Sequence, residues 1–171
     1  MRKLSLDELN RLSVGTFRAS EKFPVVVVLD NIRSLNNVGS FFRTADAFRI
    51  CGYTPTPPHR EITRSALGAE LAVSWEKYEK TSDALHELKA QGYTVLAVEQ
   101  AEGSQLLHRF DVEKTKRYAL VFGNEVEGVA DELIPQVDGC IEIPQFGTKH
   151  SFNVAVSAGI VLWGFISKNL T

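Results

Sequence analysis

The sequence has little cysteine and no long apolar run. Its two cysteines, Cys51 and Cys140, are far apart and have neither metal nor redox spacing, which argues against a disulfide-stapled protein and favours a reducing compartment. No segment reaches the ~18 consecutive apolar residues that a membrane span needs. The first ten residues, MRKLSLDELN, lack the apolar stretch of a signal peptide. We therefore expect a cytoplasmic protein that does not contact a membrane.

An excess of positive charge is also missing. The chain has 19 Lys and Arg against 21 Asp and Glu, a formal net charge of -2, which argues against a basic nucleic-acid coat but allows a local basic patch. It contains no G-x-G-x-x-G, no G-x-x-x-x-G-K-[ST] and no G-x-S-x-G, so three common nucleotide-binding and hydrolase chemistries have no support. We expect no metal site, because ligand spacing is absent among His59, His86, His108 and His150.

Apolar strands alternate with helices along the chain. The runs 23–30, 93–99, 117–123 and 139–144 are apolar almost throughout, which is typical of strands covered on both faces in a parallel sheet. The other predicted elements are a short helix at 5–12 with Ser5 and Glu8 as a capping box, a helix at about 38–48, a short strand at 50–53, a candidate strand at 71–78, a helix at 81–92 capped by Thr81 or Ser82, a short helix at 129–137 and a long apolar helix at 151–168.

This alternation predicts an α/β fold, a mostly parallel sheet flanked by helices. We expect one domain over residues 1–171, with a short helical extension at about 1–22. Ligands of such sheets sit beyond the carboxyl ends of the strands. The unusual residues of the sequence fall in the loops at three such ends: 29–39, 123–129 and 144–151.

The first loop delivers Asn37, Gly39 and Arg43. Gly39 allows the backbone to approach a ligand or another part of the chain closely. Arg43 lies one turn later on the same helix face. Its guanidinium could hold a phosphate or carboxylate near the helix start. Alternatively, Asn36 or Asn37 is an ordinary N-cap and Arg43 forms a surface salt bridge.

The second loop has Gly123 and Gly128 on either side of Glu125. Glycines here indicate a tight turn that exposes main-chain groups to a ligand, or else a plain turn from strand to helix. In the third loop, Ser151 could be the N-cap of the last helix. Asn153 begins a helix that is otherwise apolar, so its amide is either a structural clip or part of a site.

Together the three loops resemble the signature motifs of the SpoU/TrmH-type ribose 2′-O-methyltransferases, of the knotted SPOUT class. Residues 37–45 match Asn-x-Gly-Ser/Ala-x-x-Arg-Thr-Ala, and residues 123–128 match Gly-x-Glu-x-x-Gly. Residues 143–156, IPQFGTKHSFNVAV, match the third motif, with Phe152 where Leu is usual and Ala155 where Ser is usual. The resemblance covers residues 25 to 168.

The resemblance implies a fold that the periodicity does not reveal. Family members tuck the C-terminal segment, here about 121–168, through a loop as a deep trefoil knot, although knots are nearly absent from proteins. The resemblance also implies a homodimer, with S-adenosylmethionine bound in the knot. The segment 152–165 is too apolar on every side for the surface helix of a monomer, which agrees with a dimer.

The implied reaction is methyl transfer from S-adenosylmethionine to a ribose 2′-hydroxyl in RNA. By motif position Arg43 is the catalytic arginine, either as a general base or as a phosphate clamp, since its pKa above ~12 makes deprotonation difficult. Asn37, Ser151 and Asn153 would orient Arg43 and the hydroxyl, and Glu125 would organise the loops. The expected cofactor contacts, mostly through the backbone, are Val98, Glu99, Gly123, Ile143 and Phe152.

We expect tRNA as the RNA partner, with the D-loop guanosine favoured because residues 92–107 resemble enzymes of that specificity. The alternatives are wobble-position tRNA or rRNA ribose methylation, or a non-catalytic RNA-binding protein on the same scaffold. The Pro-rich segment 54–70 is predicted to be a surface loop, with His59, Arg60 and Arg64 contacting the RNA backbone.

Overall fold

The computed structural model describes residues 1–5, 7–55 and 60–170, with residues 60 and 61 as backbone only. Within these residues, seven strands form one parallel sheet and five α-helices cover it. The strands are β1 (Val25–Leu29), β2 (Cys51–Thr54), β3 (Trp75–Lys77), β4 (Tyr93–Val98), β5 (Gln105–Leu106), β6 (Arg117–Phe122) and β7 (Gly139–Glu142). The helices are α1 (Val14–Ala19), α2 (Leu35–Phe48), α3 (Arg60–Ala66), α4 (Thr81–Ala90) and α5 (Val154–Ser167).

The strand order is β3-β2-β1-β6-β4-β7-β5, and each neighbouring pair is parallel. All five residues of β1 are buried, as expected for a strand covered on both faces. The late strand β6 lies between the earlier strands β1 and β4, and β7 lies beyond β4. The predicted parallel α/β sheet is confirmed, whereas the knot stays a prediction.

Two hydrophobic layers cover the sheet. On one face α2 and α5 pack against β1 and β6, where Phe41 meets Phe122 edge to face at 5.2 Å between ring centroids. On the other face α4 packs through Leu85 and Leu88. All four of these side chains are buried. The sheet therefore lies between two hydrophobic cores.

Helix α2 begins earlier than the predicted residue 38. Its N-cap is Ser34, whose Oγ accepts a hydrogen bond from the Asn37 N–H at 3.3 Å. The interpretation of Asn36 or Asn37 as the N-cap is therefore wrong, and both lie inside the first turn. Because Ser34 provides the cap, the Asn37 side chain is available for a contact outside the helix.

The predicted surface loop at 54–70 is wrong for residues 60–70, whereas residues 56–59 lie outside the described residues. Residues 60–70 contain α3 and the start of a 3-10 turn, Ala69–Leu71, because Ile62 and Ala66 lie four residues apart and pack on α2 as one buried face. A Cβ on Gly39 would lie 2.6 Å from the Ile62 carbonyl oxygen and 2.0 Å from the Ser65 Oγ. The partner of the close approach at Gly39 is thus helix α3.

Other boundaries shift as well. Neither Thr81 nor Ser82 caps α4, because Lys80 holds the N-cap position. The Thr81 hydroxyl instead donates to buried Asp30 at 2.5 Å. The predicted helix at 129–137 is wrong; this segment has one 3-10 turn, Ile134–Gln136. Of the predicted strand at 71–78, only β3 is formed. The predicted helix at 5–12 is a 3-10 turn, Asp7–Leu9. The expected capping box of Ser5 and Glu8 is present. Helix α1 lies within the helical extension predicted at about 1–22, whereas β5 was not predicted.

No helix among the described residues is long and apolar enough to cross a membrane. The described residues also contain no group of three or more His, Cys, Asp or Glu side chains arranged to hold a metal ion. Cys51 and Cys140 are both free thiols.

The contact at Gly39 generates a stability prediction. We expect Gly39→Ala to lower the free energy of unfolding by about 1–3 kcal/mol, because the new methyl group must push the α3 backbone away. Chemical denaturation measures the change. The control is Gly15→Ala in α1, where the nearest atom to the new methyl is 4.0 Å away and helix propensity favours Ala. Equal stability of Gly39→Ala and wild type would contradict the close packing of α2 on α3.

Candidate functional site

The candidate site lies where four neighbouring strands end. β1, β6, β4 and β7 are adjacent in the sheet and parallel, so the loops that follow them meet at one edge. The loop after β1 leads into α2, and the loop after β7 leads into α5. Two helix N-termini and two further loops therefore converge at this edge.

Glu125 joins the loop after β6 to the start of α2. Its Oε2 accepts a hydrogen bond from the Arg33 N–H at 3.0 Å, and its Oε1 accepts one from the Ser34 N–H at 3.0 Å. The same Oε1 accepts from Asn37 Nδ2 at 2.8 Å. A carboxylate at this position also interacts favourably with the positive end of the helix dipole.

Asn37 continues this network to the last helix. Its Oδ1 accepts a hydrogen bond from Asn153 Nδ2 at 3.1 Å. Asn153 is the N-cap of α5, because its Oδ1 accepts from the N–H groups of Ala155 and Val156 at 3.0 and 3.3 Å. We call the chain Glu125–Asn37–Asn153 the amide relay. It links one residue from each of the three sequence motifs.

Hydrogen bonds from the start of α2 lower the pKa of the Glu125 carboxyl group below its ordinary value. Burial opposes this change, but the donors Arg33, Asn37 and Ser34 stabilise the ionised form more strongly. Glu125 is therefore an anion at neutral pH.

Two glycines close the turn after β6. Asn124 and Gly128 exchange backbone hydrogen bonds of 2.8 and 2.9 Å. A Cβ on Gly123 would lie 2.0 Å from the Gly128 carbonyl carbon, and Gly128 itself has φ of +74°. Both positions thus require glycine. The turn leads into an irregular segment, so it is not a plain turn from strand to helix.

Glu99 holds the same turn from the side of β4. Its Oε2 accepts a hydrogen bond from the Val129 N–H at 3.0 Å, and its Oε1 accepts one from the Gln100 N–H at 2.9 Å. A Cβ on Gly128 would lie 2.2 Å from Glu99 Oε2. The Glu99 side chain is therefore engaged with the protein's own backbone.

A cavity of about 280 Å³ opens between the ends of β4, β6 and β7. Ligand pockets commonly begin near this size and combine apolar walls with a few polar groups. Apolar and polar side chains both line this cavity. Every residue predicted to contact the cofactor lies in its wall: Val98, Glu99, Gly123, Ile143 and Phe152.

The five predicted catalytic residues divide into three groups. Glu125 and Ser151 line the cavity, whereas Asn37 and Asn153 stand behind Glu125 in the amide relay. Ser151 is not the N-cap of α5, so the interpretation of this residue as a cap is wrong. Arg43 is exposed, lies outside the cavity wall and makes no hydrogen bond or ion pair within the described part of the chain. Its guanidinium is available to a ligand, and the salt-bridge alternative has no support there.

The residues predicted to contact RNA are only partly described. Arg64 is exposed on α3. Arg60 begins this helix, and His59 lies outside the described residues. Because α3 packs on α2, Arg64 and Arg43 belong to the same layer of the fold.

Several residues at this edge were not predicted from the sequence. Asp30 is buried and accepts a hydrogen bond from the Ala130 N–H at 3.0 Å, which fixes the loop after β1 to the segment after Gly128. Asp30 could have been predicted as a site residue, because it directly follows an apolar strand. Gln100 donates from Nε2 to the His150 carbonyl oxygen at 2.8 Å. Glu142 lines the cavity at the end of β7.

Comparison with known proteins gives consistent matches. Residues 24–163 match the model of the SpoU rRNA Methylase family. The tRNA (guanosine(18)-2'-O)-methyltransferase TARBP1 of Mus musculus is 33% identical over 153 residues, which are 85% of the chain but 10% of the mouse protein. The tRNA (guanosine(18)-2'-O)-methyltransferase of Thermus thermophilus is 30% identical over 81% of the chain and 72% of its own length.

Solved structures agree with the sequence comparison. An AdoMet-bound rRNA methyltransferase from Sinorhizobium meliloti superposes with a TM-score of 0.78 at 30% identity. The match covers 91% of the chain and 60% of the Sinorhizobium protein. The relatives are therefore in part longer proteins that share this domain.

The lowered pKa of Glu125 yields a pH-dependent prediction. We expect Glu125→Gln to lower the free energy of unfolding at pH 7 by about 1–2 kcal/mol, since an amide cannot accept all three hydrogen bonds. The contribution of the carboxylate is present above the unfolded-state pKa of about 4.3 and is lost as the pH falls through the lower folded-state pKa. The difference between the two proteins should therefore shrink in acid.

Urea denaturation at pH 7 and at pH 3 measures this difference. Glu127→Gln is the matched control, because Glu127 lies in the same turn and its carboxylate has no hydrogen-bond partner among the described residues. A loss of stability that is the same at both pH values, or equal in the control, would show that the ionised carboxylate is not what holds the loops.

Proposed function

Because the chain belongs to the SpoU rRNA methylase family, we propose that it methylates a ribose 2′-hydroxyl of RNA with S-adenosylmethionine as the methyl donor. The observation that carries this proposal is the amide relay, which brings the three motif loops together beside a cavity. The preferred substrate is tRNA, with a D-loop guanosine as the target. Two of the relatives are named for guanosine(18) of tRNA.

The cavity has the chemistry that S-adenosylmethionine requires. Val98, Ile143 and Phe152 offer apolar surface for a purine ring, and the turn at Gly123 exposes main-chain groups. The Sinorhizobium relative is described with AdoMet bound, which supports the same ligand here. When bound, this cofactor supplies a methyl group made electrophilic by the sulfonium.

The chain itself must orient the hydroxyl and remove its proton. Ser151 lies in the cavity wall, where its hydroxyl can hydrogen-bond the ribose. Asn37 and Asn153 are positioning residues, because both amides are bound to each other and to Glu125. Arg43 either accepts the proton or clamps the neighbouring phosphate, and the exposure of its guanidinium suits contact with a large ligand such as RNA.

The RNA surface is proposed on the layer that contains α2 and α3. Arg43 and Arg64 are both exposed there and can pair with phosphate oxygens. We keep Arg60 and His59 as further phosphate contacts, because they precede or begin α3. Such contacts position the RNA without reading its bases.

One alternative substrate, rRNA, has specific support. The Sinorhizobium relative is named an rRNA methyltransferase, which favours rRNA as a second candidate substrate. A non-catalytic RNA-binding protein on the same scaffold is disfavoured, because the chain retains Asn37, Arg43, Ser151 and Asn153. Wobble-position methylation of tRNA is a further alternative within the same chemistry.

We further propose that the chain acts as a homodimer through α5. Val156, Ile160 and Trp163 are exposed at 51%, 37% and 55% and lie on one helix face, which we call the α5 stripe. Phe48 of α2 stacks on Trp163 at 6.2 Å between ring centroids, so the stripe continues onto α2. A contiguous apolar patch of this kind is typical of an interface.

The domain organisation follows from the same proposal. Residues 1–171 form one domain, with a helical extension at about 1–22 and the knot at about 121–168. Phe17 of α1 is buried against the main core, which supports a single domain. The free thiols of Cys51 and Cys140 are consistent with the proposed cytoplasmic location.

Methyl transfer from labelled cofactor to total tRNA and to rRNA, followed by mapping of the modified nucleotide, tests the proposed activity. We expect Arg43→Ala to reduce turnover by at least about a hundredfold, because a group that handles the proton or the phosphate is lost. Calorimetry should find cofactor affinity within about twofold of wild type, since Arg43 lies outside the cavity wall.

The matched control is Arg109→Ala, an exposed arginine that also has no partner among the described residues. It should retain turnover. Lost cofactor affinity in Arg43→Ala, with activity kept at saturating cofactor, would reverse the assignment of Arg43. A wild-type protein that binds the cofactor but methylates neither RNA would favour the non-catalytic alternative.

The α5 stripe gives a prediction about association. We expect a dimer in light scattering at micromolar concentration, and Ile160→Asp should convert it to a monomer because a buried unpaired charge is costly. His86→Asp on α4 adds the same charge on the opposite layer and should leave the dimer intact. A wild-type monomer, or a dimer that survives Ile160→Asp, would contradict the proposed interface.

A further inference from the structure

The cavity wall carries charge of one sign. Four carboxylates line the cavity: Glu99, Glu125, Glu127 and Glu142. Neither lysine nor arginine is found among the described residues that line it. The whole chain has almost equal numbers of acidic and basic residues, so this local imbalance is a property of the site.

The four carboxylates differ in how they are used. Glu99 and Glu125 accept hydrogen bonds from backbone N–H groups, and these bonds organise the loops. The carboxylates of Glu127 and Glu142 make no hydrogen bond or ion pair with any described group. Glu142 is half-buried at the end of β7, and Glu127 is exposed at the turn. These two carboxylates are free to act on a ligand.

Methyl transfer changes the charge of the molecule in the cavity. The bond between the methyl carbon and the sulfonium sulfur breaks, and a bond between that carbon and the ribose 2′-oxygen forms. The hydroxyl proton passes to solvent, either directly or by way of Arg43, and the sulfur keeps the electron pair of the broken bond. S-adenosylmethionine, with a net charge of about +1, thus becomes S-adenosylhomocysteine, with a net charge of about zero at neutral pH.

We propose that Glu142, assisted by Glu127, makes the cavity select the cationic cofactor over its neutral product. An anionic wall attracts the positively charged sulfonium of the cofactor but has no such attraction for the uncharged thioether of the product. Methyl transfer therefore weakens the binding of the molecule in the cavity. This inference rests on the proposed function, because it assumes that S-adenosylmethionine occupies the cavity.

Glu142 should contribute more than Glu127. Interactions between charges strengthen where protein displaces water, and Glu142 is the less exposed of the two. The remaining pair, Glu99 and Glu125, supplies a constant negative background, but changing either would disturb the loops. Glu142 is therefore the residue at which charge selection can be separated from folding.

Calorimetric titration of the full chain with three ligands tests the proposal. The ligands are S-adenosylmethionine, S-adenosylhomocysteine and sinefungin, in which a carbon bearing a protonated amine replaces the sulfonium. We expect the wild type to bind the two cationic ligands more tightly than the neutral one at low salt. The preference should fall as added salt screens the charges at the cavity mouth.

Three variants test whether Glu142 is the main source of the preference for the cationic cofactor. Glu142→Gln should reduce the affinity ratio of S-adenosylmethionine to S-adenosylhomocysteine by about three- to tenfold, through weaker binding of the cationic ligand alone. Glu127→Gln should reduce the ratio by about twofold, because its charge is exposed. Glu21→Gln removes a carboxylate before β1, at the opposite edge of the sheet, and should leave the ratio unchanged.

Equal wild-type affinity for S-adenosylmethionine and its product would overturn the inference, as would equal weakening of all three ligands in Glu142→Gln. Either result could occur in an active methyltransferase and would leave the proposed function intact. Failure of the wild type to bind any of the three ligands would instead remove the proposed cofactor. Circular dichroism of Glu142→Gln checks that a lost preference does not come from unfolding.

Discussion

The site depends on one carboxylate that three donors share. Glu125 comes from the loop after β6, yet its partners Arg33, Ser34 and Asn37 all lie at the start of α2. This interaction fixes the direction in which α2 leaves the sheet. It also orients the Asn37 amide, whose oxygen can then hold the N-cap of α5. Without the charge on Glu125, each of these groups would have to find another partner or be left unpaired.

The parallel sheet could be predicted because its strands are apolar throughout. Residues 25–29 and 118–122 are buried, and a strand that is covered on both faces appears in the sequence as a continuous apolar run. Helix α3 was missed because three prolines precede it and only Ile62 and Ala66 mark its inner face. The helix predicted at 129–137 fails for the opposite reason, since its apolar spacing suits a helix but the backbone there is fixed by hydrogen bonds to Glu99 and Asp30.

The polar residues of the site were easier to find than to interpret. Their positions after strands predicted that Asn37, Glu125 and Asn153 would lie near one another, whereas the pattern of donors among them depends on distances that a sequence does not contain. Gly39 illustrates the same limit of sequence reasoning. Its requirement for close approach was predicted, but the neighbour is the backbone of α3, and a periodicity cannot name such a partner.

The amide relay joins parts of the chain that are far apart in sequence. Glu125 and Asn37 are separated by 88 residues, and Asn37 and Asn153 by 116. Contacts between residues so far apart in sequence form slowly, because the chain must lose the entropy of a long loop before the contact can form. The cavity wall also takes residues from three strands, the last of which is β7. The wall also includes Val154 and Ser157 of α5, so a nascent chain that has not yet reached α5 lacks part of the site that would hold a ligand.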